Sequence, residues 1–387
     1  MNNRTAIVGY AQSPIQRHAD QPFGALAITT AKAAIADAGL QPADIDGFVT
    51  STLFPTAGSH PIVDGVSTVS ADWMARHLGE KVQPRYVAGF QGIGQIPGSV
   101  ALAVNALIAG AADYVVMHRA LHNPRGTYHA NPMREAAGPQ QWTVPHGYFG
   151  PLSMIALPTT EYMHRYGATR ADLAKVAVEA RKNGARIPHS YWYGKPLVEN
   201  DYERAEPLSD PICRYDCDIP VDGVAAFVFT TAERARDLPN RPVYVSGYAT
   251  SPPPPHRLPQ HWPLDDIMAG AALTVRRLGI PPREIDLPQV YDGFSPFVWF
   301  WLEALGLCPP GEAHRFVADG GIDSDTALPA LSGGGALGNG RMHGIPQMLE
   351  CYLQLSGRAG DRQRQNVSSA VACASSPHYG GAVAYSS

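Results

Sequence analysis

No cysteine occurs before Cys213, so the first 212 residues offer no thiol for covalent catalysis. The five cysteines, Cys213, Cys217, Cys308, Cys351 and Cys373, are an odd number in a long chain, which fits reduced thiols better than a disulfide framework. Cys213 and Cys217 have the spacing of half a zinc site, but no second pair follows, and two loop cysteines are the simpler reading. Long apolar runs are missing as well: none approaches the roughly 20 residues that cross a bilayer. The start MNNRTAIVGY runs into a strand without the apolar core of a signal peptide. The expectation is a cytoplasmic protein with no membrane partner. There is no basic excess either, since 30 Lys and Arg stand against 34 Asp and Glu for a net charge of −4. Backbone-phosphate binders usually show a basic surface, so nucleic acid is excluded as a partner.

What is present suits a large packed core: 387 residues, 45% hydrophobic and 17% charged, enough for two or three domains. Short β-branched runs alternate with Ala-rich helical stretches, the pattern of a mixed or parallel sheet covered by helices. Strands are predicted at 4–9, 45–51, 85–89, 113–118, 223–231 and 243–249, and helices at about 24–38 and 98–109. The second half repeats the theme. Its helices fall at about 265–278, 296–305 and 345–356, and its strands at 287–292, 366–373 and 381–386. Two such halves predict duplicated α/β units: 1–118 with 216–240 as the first, 241–387 as the second. Between them, 119–215 is rich in aromatics, His and Arg, has one helical stretch near 170–185, and reads as a loop or cap domain walling a cleft. The tetraproline Pro252–Pro255 is a stiff surface spacer.

Four segments, RTAIVGYAQSP at the start, SVALAVNALIAGAADYVV at 99–116, DIPVDGVAAFVFT at 218–230 and GGGALGNGRMHG at 333–344, together resemble the thiolase superfamily in its sterol-carrier-type branch. They span nearly the whole chain in order. The resemblance implies a thiolase fold: two βαβαβαββ-type halves in a layered α-β-α-β-α arrangement. In thiolases the helix that ends in a turn like Gly110–Asp113 begins with the nucleophilic cysteine, and counting back puts that position at Ile93. Neither Ile93 nor its neighbours Gln91, Gly92, Gly94 and Gln95 is a nucleophile. The GIGQIPG stretch also lacks the third glycine of a dinucleotide fingerprint.

Tyr291-Asp292-Gly293-Phe294 matches the strand end where thiolases carry an Asn, or a His in the sterol-carrier branch, that orients a water. A tyrosine there, with the cysteine lost, resembles the thiolase-like aldolases that cleave steroid side chains. Those subunits also end a Gly-rich loop in His-Gly, as His343-Gly344 does here, but usually show Tyr-Leu-His-Gly where this chain has Arg341-Met342-His343-Gly344. The resemblance implies a retro-aldol lyase acting on a β-hydroxyacyl-CoA, plausibly a steroid side-chain thioester, with CoA as part of the substrate and no other cofactor. Such a cleavage needs a base for the hydroxyl proton and donors for the enolate. Tyr291 is the proton carrier, with Arg341 as a cation beside it, and Arg341 or His343 stabilises the enolate. From the residues alone, Tyr291 is equally a strand tyrosine with its hydroxyl paired, and His343 a loop histidine bonding a carbonyl.

Gly335 is expected to bring backbone amides to the substrate. Cys373, near the proton-shuttling cysteine of thiolases, and Tyr379 in the same loop, with His378, complete the candidates; the residues leave Cys373 open between an inert strand thiol and a site residue. Two other functions remain open: an acyl-CoA acyltransferase using Cys373, and a non-catalytic lipid-carrier or scaffold subunit. The resemblance further implies a homodimer formed along the sheet edge near 85–89 and a small zinc-ribbon and OB-fold partner protein.

Overall fold

The computed structural model describes residues 3–51, 69–90, 95–122, 141–148, 150–251, 263–376 and 380–387. In the first half β1 (Thr5–Gln12), β2 (Gly47–Ser51), β3 (Tyr86–Phe90) and β4 (Tyr114–Leu121) alternate with α1 (Phe23–Asp37), α2 (Ala71–His77) and α3 (Gln95–Ile108). The excursion holds α4 (Gly150–Tyr166), α5 (Arg170–Gly184), α6 (Glu199–Glu203) and a short hairpin, β5 (Pro207–Ser209) with β6 (Ile212–Cys213). The chain then returns to the first half through β7 (Gly223–Thr231) and α7 (Ala232–Ala235). The second half opens with β8 (Val243–Thr250), α8 (Leu264–Leu278), β9 (Leu287–Gln289) and α9 (Ser295–Ala304). It closes with α10 (Ala313–Ala318), α11 (Gly335–Asn339), α12 (Ile345–Ser356), β10 (Ser369–Ala374) and β11 (Gly381–Ser386).

The strands form one mixed sheet in the order β3-β2-β4-β7-β1-β8-β11-β10-β9. Its two ends repeat each other. β2 is parallel to β4, which is antiparallel to β7, which is antiparallel to β1; β9 is parallel to β10, which is antiparallel to β11, which is antiparallel to β8. Within the sheet, a short antiparallel pairing of Ala6 with Tyr244 and Ile7 with Val243 joins the halves.

Period-two alternation in the strands sorts side chains into layers. Val224, Ala226 and Val228 of β7 pack with α1 and α2 on one face, while Ala225, Phe227 and Phe229 face a central layer. Ala370 and Ala372 of β10 also face that central layer, and Val371 and Cys373 face α9 on the far side. The central layer is α3 and α12; Ile345–Ser356 is buried on every side. The result is the predicted α-β-α-β-α stack.

Some boundaries differ from expectation. β9 ends at Gln289, not 292, because Val290 donates its N–H to Ala330 instead of a strand. β10 starts at Ser369 after the left-handed Asn366. In the excursion α4 was not foreseen: it contains Pro158, which reads as a helix breaker. No helix among the described residues is long and apolar enough to cross a membrane. The tetraproline, Ile93, His378 and Tyr379 lie outside the described residues.

Candidate active site

After β9 the chain leaves the sheet through Tyr291-Asp292-Gly293-Phe294 and enters α9. Tyr291 is buried, and its ring stacks on Phe297 of that helix at 6.2 Å. The hydroxyl lies against Gly293, where an added Cβ would come within 2.4 Å of it, so the loop needs a glycine there. Asp292 turns to α11 and accepts the amides of Ala336 at 2.5 Å and Leu337 at 3.1 Å, and Nε2 of Gln347 at 2.9 Å. Burial nevertheless pushes its carboxyl up to about 7.

Gly335 serves this arrangement. Its φ is +57°, and a Cβ would fall 2.1 Å from Oδ2 of Asp292. Its missing side chain makes room for a carboxylate that fixes the loop. Asn339 closes the same loop by donating to the carbonyls of Gly333 at 2.7 Å and Gly335 at 2.8 Å.

His343 is buried just before α12, in a left-handed conformation with φ 50°. Its Nδ1 lies 3.0 Å from Nη2 of Arg119, a fully buried residue on β4. A guanidinium only donates, so Nδ1 accepts and the imidazole is neutral with its proton on Nε2. That leaves His343 an N–H donor suited to a developing oxyanion. Arg119 also donates to the carbonyl of Ser51 and, at 3.0 Å, to its Oγ. Burial lowers the Arg119 guanidinium to about 10, and the charge of Tyr291 acts on it in the opposite direction.

Arg119, a buried cation next to His343, was not singled out by sequence reasoning. The cation expected from sequence, Arg341, has its Nε 3.9 Å from Oδ1 of Asp218. A signal did exist: Met117, Arg119 and Leu121 share one face of β4, and a charge at a core position of a strand asks for a reason. The expected strand stopped one residue short of it.

Cys373 does not behave as a reactive thiol. It is fully buried in the layer between β10 and α9, and desolvation pushes its thiol well above the usual range, opposite to what an acyl-accepting thiolate requires. Cys217 and Cys213 are likewise raised by burial, and Cys217 donates its S–H to the Cys213 carbonyl at 3.5 Å.

A cleft of about 500 Å³ opens beside this loop, with Asp218 and Leu337 on its inner wall. The excursion builds its outer wall. Arg181 stacks on Trp192 at 3.4 Å from the ring centroid, and Arg214 and Arg17 line the same space. The inner wall is tied to the tyrosine loop, because Asp218 donates its N–H to the Gly293 carbonyl at 3.1 Å.

Comparison with known proteins places the chain in a family. A family model described as Thiolase C-terminal domain-like matches residues 264–384. The chain is 32% identical over 370 residues to a 17-hydroxy-3-oxo-4-pregnene-20-carboxyl-CoA lyase of Mycobacterium tuberculosis, with 92% of each chain covered. It belongs to the thiolase superfamily, among the thiolase-like aldolases. A steroid side-chain-cleaving aldolase of Thermomonospora curvata is 31% identical, over 91% of this chain and 90% of that one. Among solved structures, one described as the Ltp2-ChsH2(DUF35) aldolase superposes with a TM-score of 0.86 at 28% identity, over 100% of this chain and 98% of that one. Human mitochondrial 3-ketoacyl-CoA thiolase shares the fold, with a TM-score of 0.67 at 15% identity over the full length of both. The protein is accordingly an aldolase, a carbon–carbon lyase on a thiolase scaffold.

Proposed function

We propose that this aldolase splits a β-hydroxyacyl-CoA by retro-aldol chemistry, with a steroid side-chain thioester as the substrate class, in the cytoplasm. The observation that carries the reading is the buried group Tyr291, Arg119 and His343, a phenol, a cation and a neutral N–H donor in one place. Tyr291, as the phenolate that the neighbouring charge of Arg119 favours, takes the hydroxyl proton and becomes the phenol. The carbon–carbon bond then breaks, its electron pair flows into the thioester carbonyl, and Nε2–H of His343 bonds the enolate oxygen. Products are a shorter acyl-CoA and a free carbonyl compound. No bond to the protein forms.

Arg17, Arg181 and Arg214 with Trp192 suit the phosphates and the base of a CoA arm, since planar guanidinium groups pair with phosphate and rings stack on an adenine. β3 lies at the sheet edge with Val87 42% exposed, which supports pairing between two copies. The two-protein name of the solved Ltp2-ChsH2(DUF35) aldolase supports a small partner subunit of the zinc-ribbon and OB-fold kind.

The test is product analysis on a panel of steroidal and simple β-hydroxyacyl-CoA esters, with the partner present. Release of equal amounts of carbonyl compound and shortened acyl-CoA is the expected result. A panel left intact would remove the lyase reading in favour of a carrier or scaffold.

A further inference from the structure

A retro-aldol cleavage moves two protons, one off the hydroxyl and one onto the α-carbon of the enolate. Tyr291 accounts for the first. At the position where related aldolases usually carry a second tyrosine this chain has Arg341, whose guanidinium does not release a proton. The second proton needs another carrier.

Asp218 fits that need. It is 5% exposed, lines the cleft, and its Oδ2 has no hydrogen-bond partner among the described residues. Buried carboxylate oxygens are nearly always satisfied, so an unsatisfied one on a residue that lines the cleft points to a proton or a substrate atom that it meets in use. Its other oxygen faces Arg341 at 3.9 Å. Its N–H is bonded to the carbonyl of Gly293, the same residue that packs against the Tyr291 hydroxyl, so the backbone of Asp218 is tied to the tyrosine loop.

Resting on the retro-aldol reading, we propose that Asp218 is the acid that protonates the enolate carbon. Its carboxyl O–H bond breaks and a C–H bond forms at the α-carbon, leaving Asp218 as carboxylate beside Arg341. Tyr291, holding the hydroxyl proton, returns it through solvent water, and the cycle closes without oxidant or reductant. The resting charge state agrees: burial and the neighbouring negative charge of Asp292 raise the Asp218 carboxyl well above the usual range. Asp292 spends its own charge on two amides and Gln347.

The reverse of this step is measurable by itself. In D₂O the assembled enzyme should exchange the α-hydrogens of acetyl-CoA or propionyl-CoA, followed by mass. Asp218→Asn, isosteric with a neutral carboxyl, should lose exchange by about 10²-fold or more, and Asp218→Glu should restore part of it. Formate should rescue exchange by Asp218→Ala. Exchange by Asp218→Asn within about threefold of wild type overturns the proposal. If the Asn variant fails to fold, absence of formate rescue in Asp218→Ala does the same, as does a wild type that cleaves esters without exchanging. A wild type that exchanges through Asp218 but splits no β-hydroxyacyl-CoA would sink the lyase reading while leaving Asp218 as a base at the α-carbon.

Discussion

The two halves of the molecule repeat one succession of strands, parallel then antiparallel twice, yet they place different chemistry on corresponding strands. In the first half, β4 carries the buried Arg119 beside Ser51 at the end of its parallel neighbour β2. In the second half β10, in the same relation to β9, carries Cys373 in an apolar layer, while the chain beyond β9 supplies Tyr291. The scaffold is duplicated and the site is not. A buried guanidinium costs stability, as its lowered pKa registers, so its retention at a core position of β4 argues for a use in chemistry. A buried thiol costs little and implies no such use.

The largest effect should come from the second half. Tyr291→Phe removes the proton carrier and should lower kcat by about 10²–10⁴-fold with an unchanged circular-dichroism spectrum. Near-native turnover by this variant would leave the strand end of β9 with no role in proton transfer. Next is the first half: Arg119→Met removes the donor to His343 Nδ1 and should cost about 10²–10³-fold in kcat. Because the substitution leaves the buried Ser51 carbonyl and His343 Nδ1 without their donor, stability should also fall by about 1–3 kcal/mol, and the chemical role is read from the loss of kcat measured well below the melting temperature. Near-native kcat in the folded variant would instead make Arg119 a structural strut.

Smaller again is Gly335→Ala, which drives a Cβ into the Asp292 carboxylate at a positive φ and should cost about 1–3 kcal/mol of stability in chemical denaturation. The smallest effect is expected from β10. Iodoacetamide should leave activity intact, since Cys373 is fully buried and its thiol is held protonated. Substrate-protectable inactivation through one modified cysteine would equalise the two halves and bring back the acyltransferase.

How much of this was legible in the sequence depended on whether a residue's role showed in local pattern. β7 and β11 were predicted to the residue or nearly so because apolar runs bounded by turn residues have one reading. α4 was hidden by Pro158, and α11 by its glycines, which spell a turn until Asp292 is seen accepting two of its amides. Tyr291 and His343 were found through motif resemblance. Arg119 and Asp218 were not, because each acquires its meaning from a contact with a residue distant in sequence: His343 lies 224 positions from Arg119. Arg341 was singled out because the Gly-rich motif places it where thiolases carry a His, and in the structure its Nε lies 3.9 Å from Asp218 Oδ1.

Cleavage without a covalent intermediate is tested most directly by intact-protein mass spectrometry on enzyme quenched during steady turnover of a β-hydroxyacyl-CoA. The expected result is an unmodified protein mass while shortened acyl-CoA and free carbonyl compound accumulate together. A protein population heavier by one acyl group, mapped to Cys373 or any other residue, would contradict it.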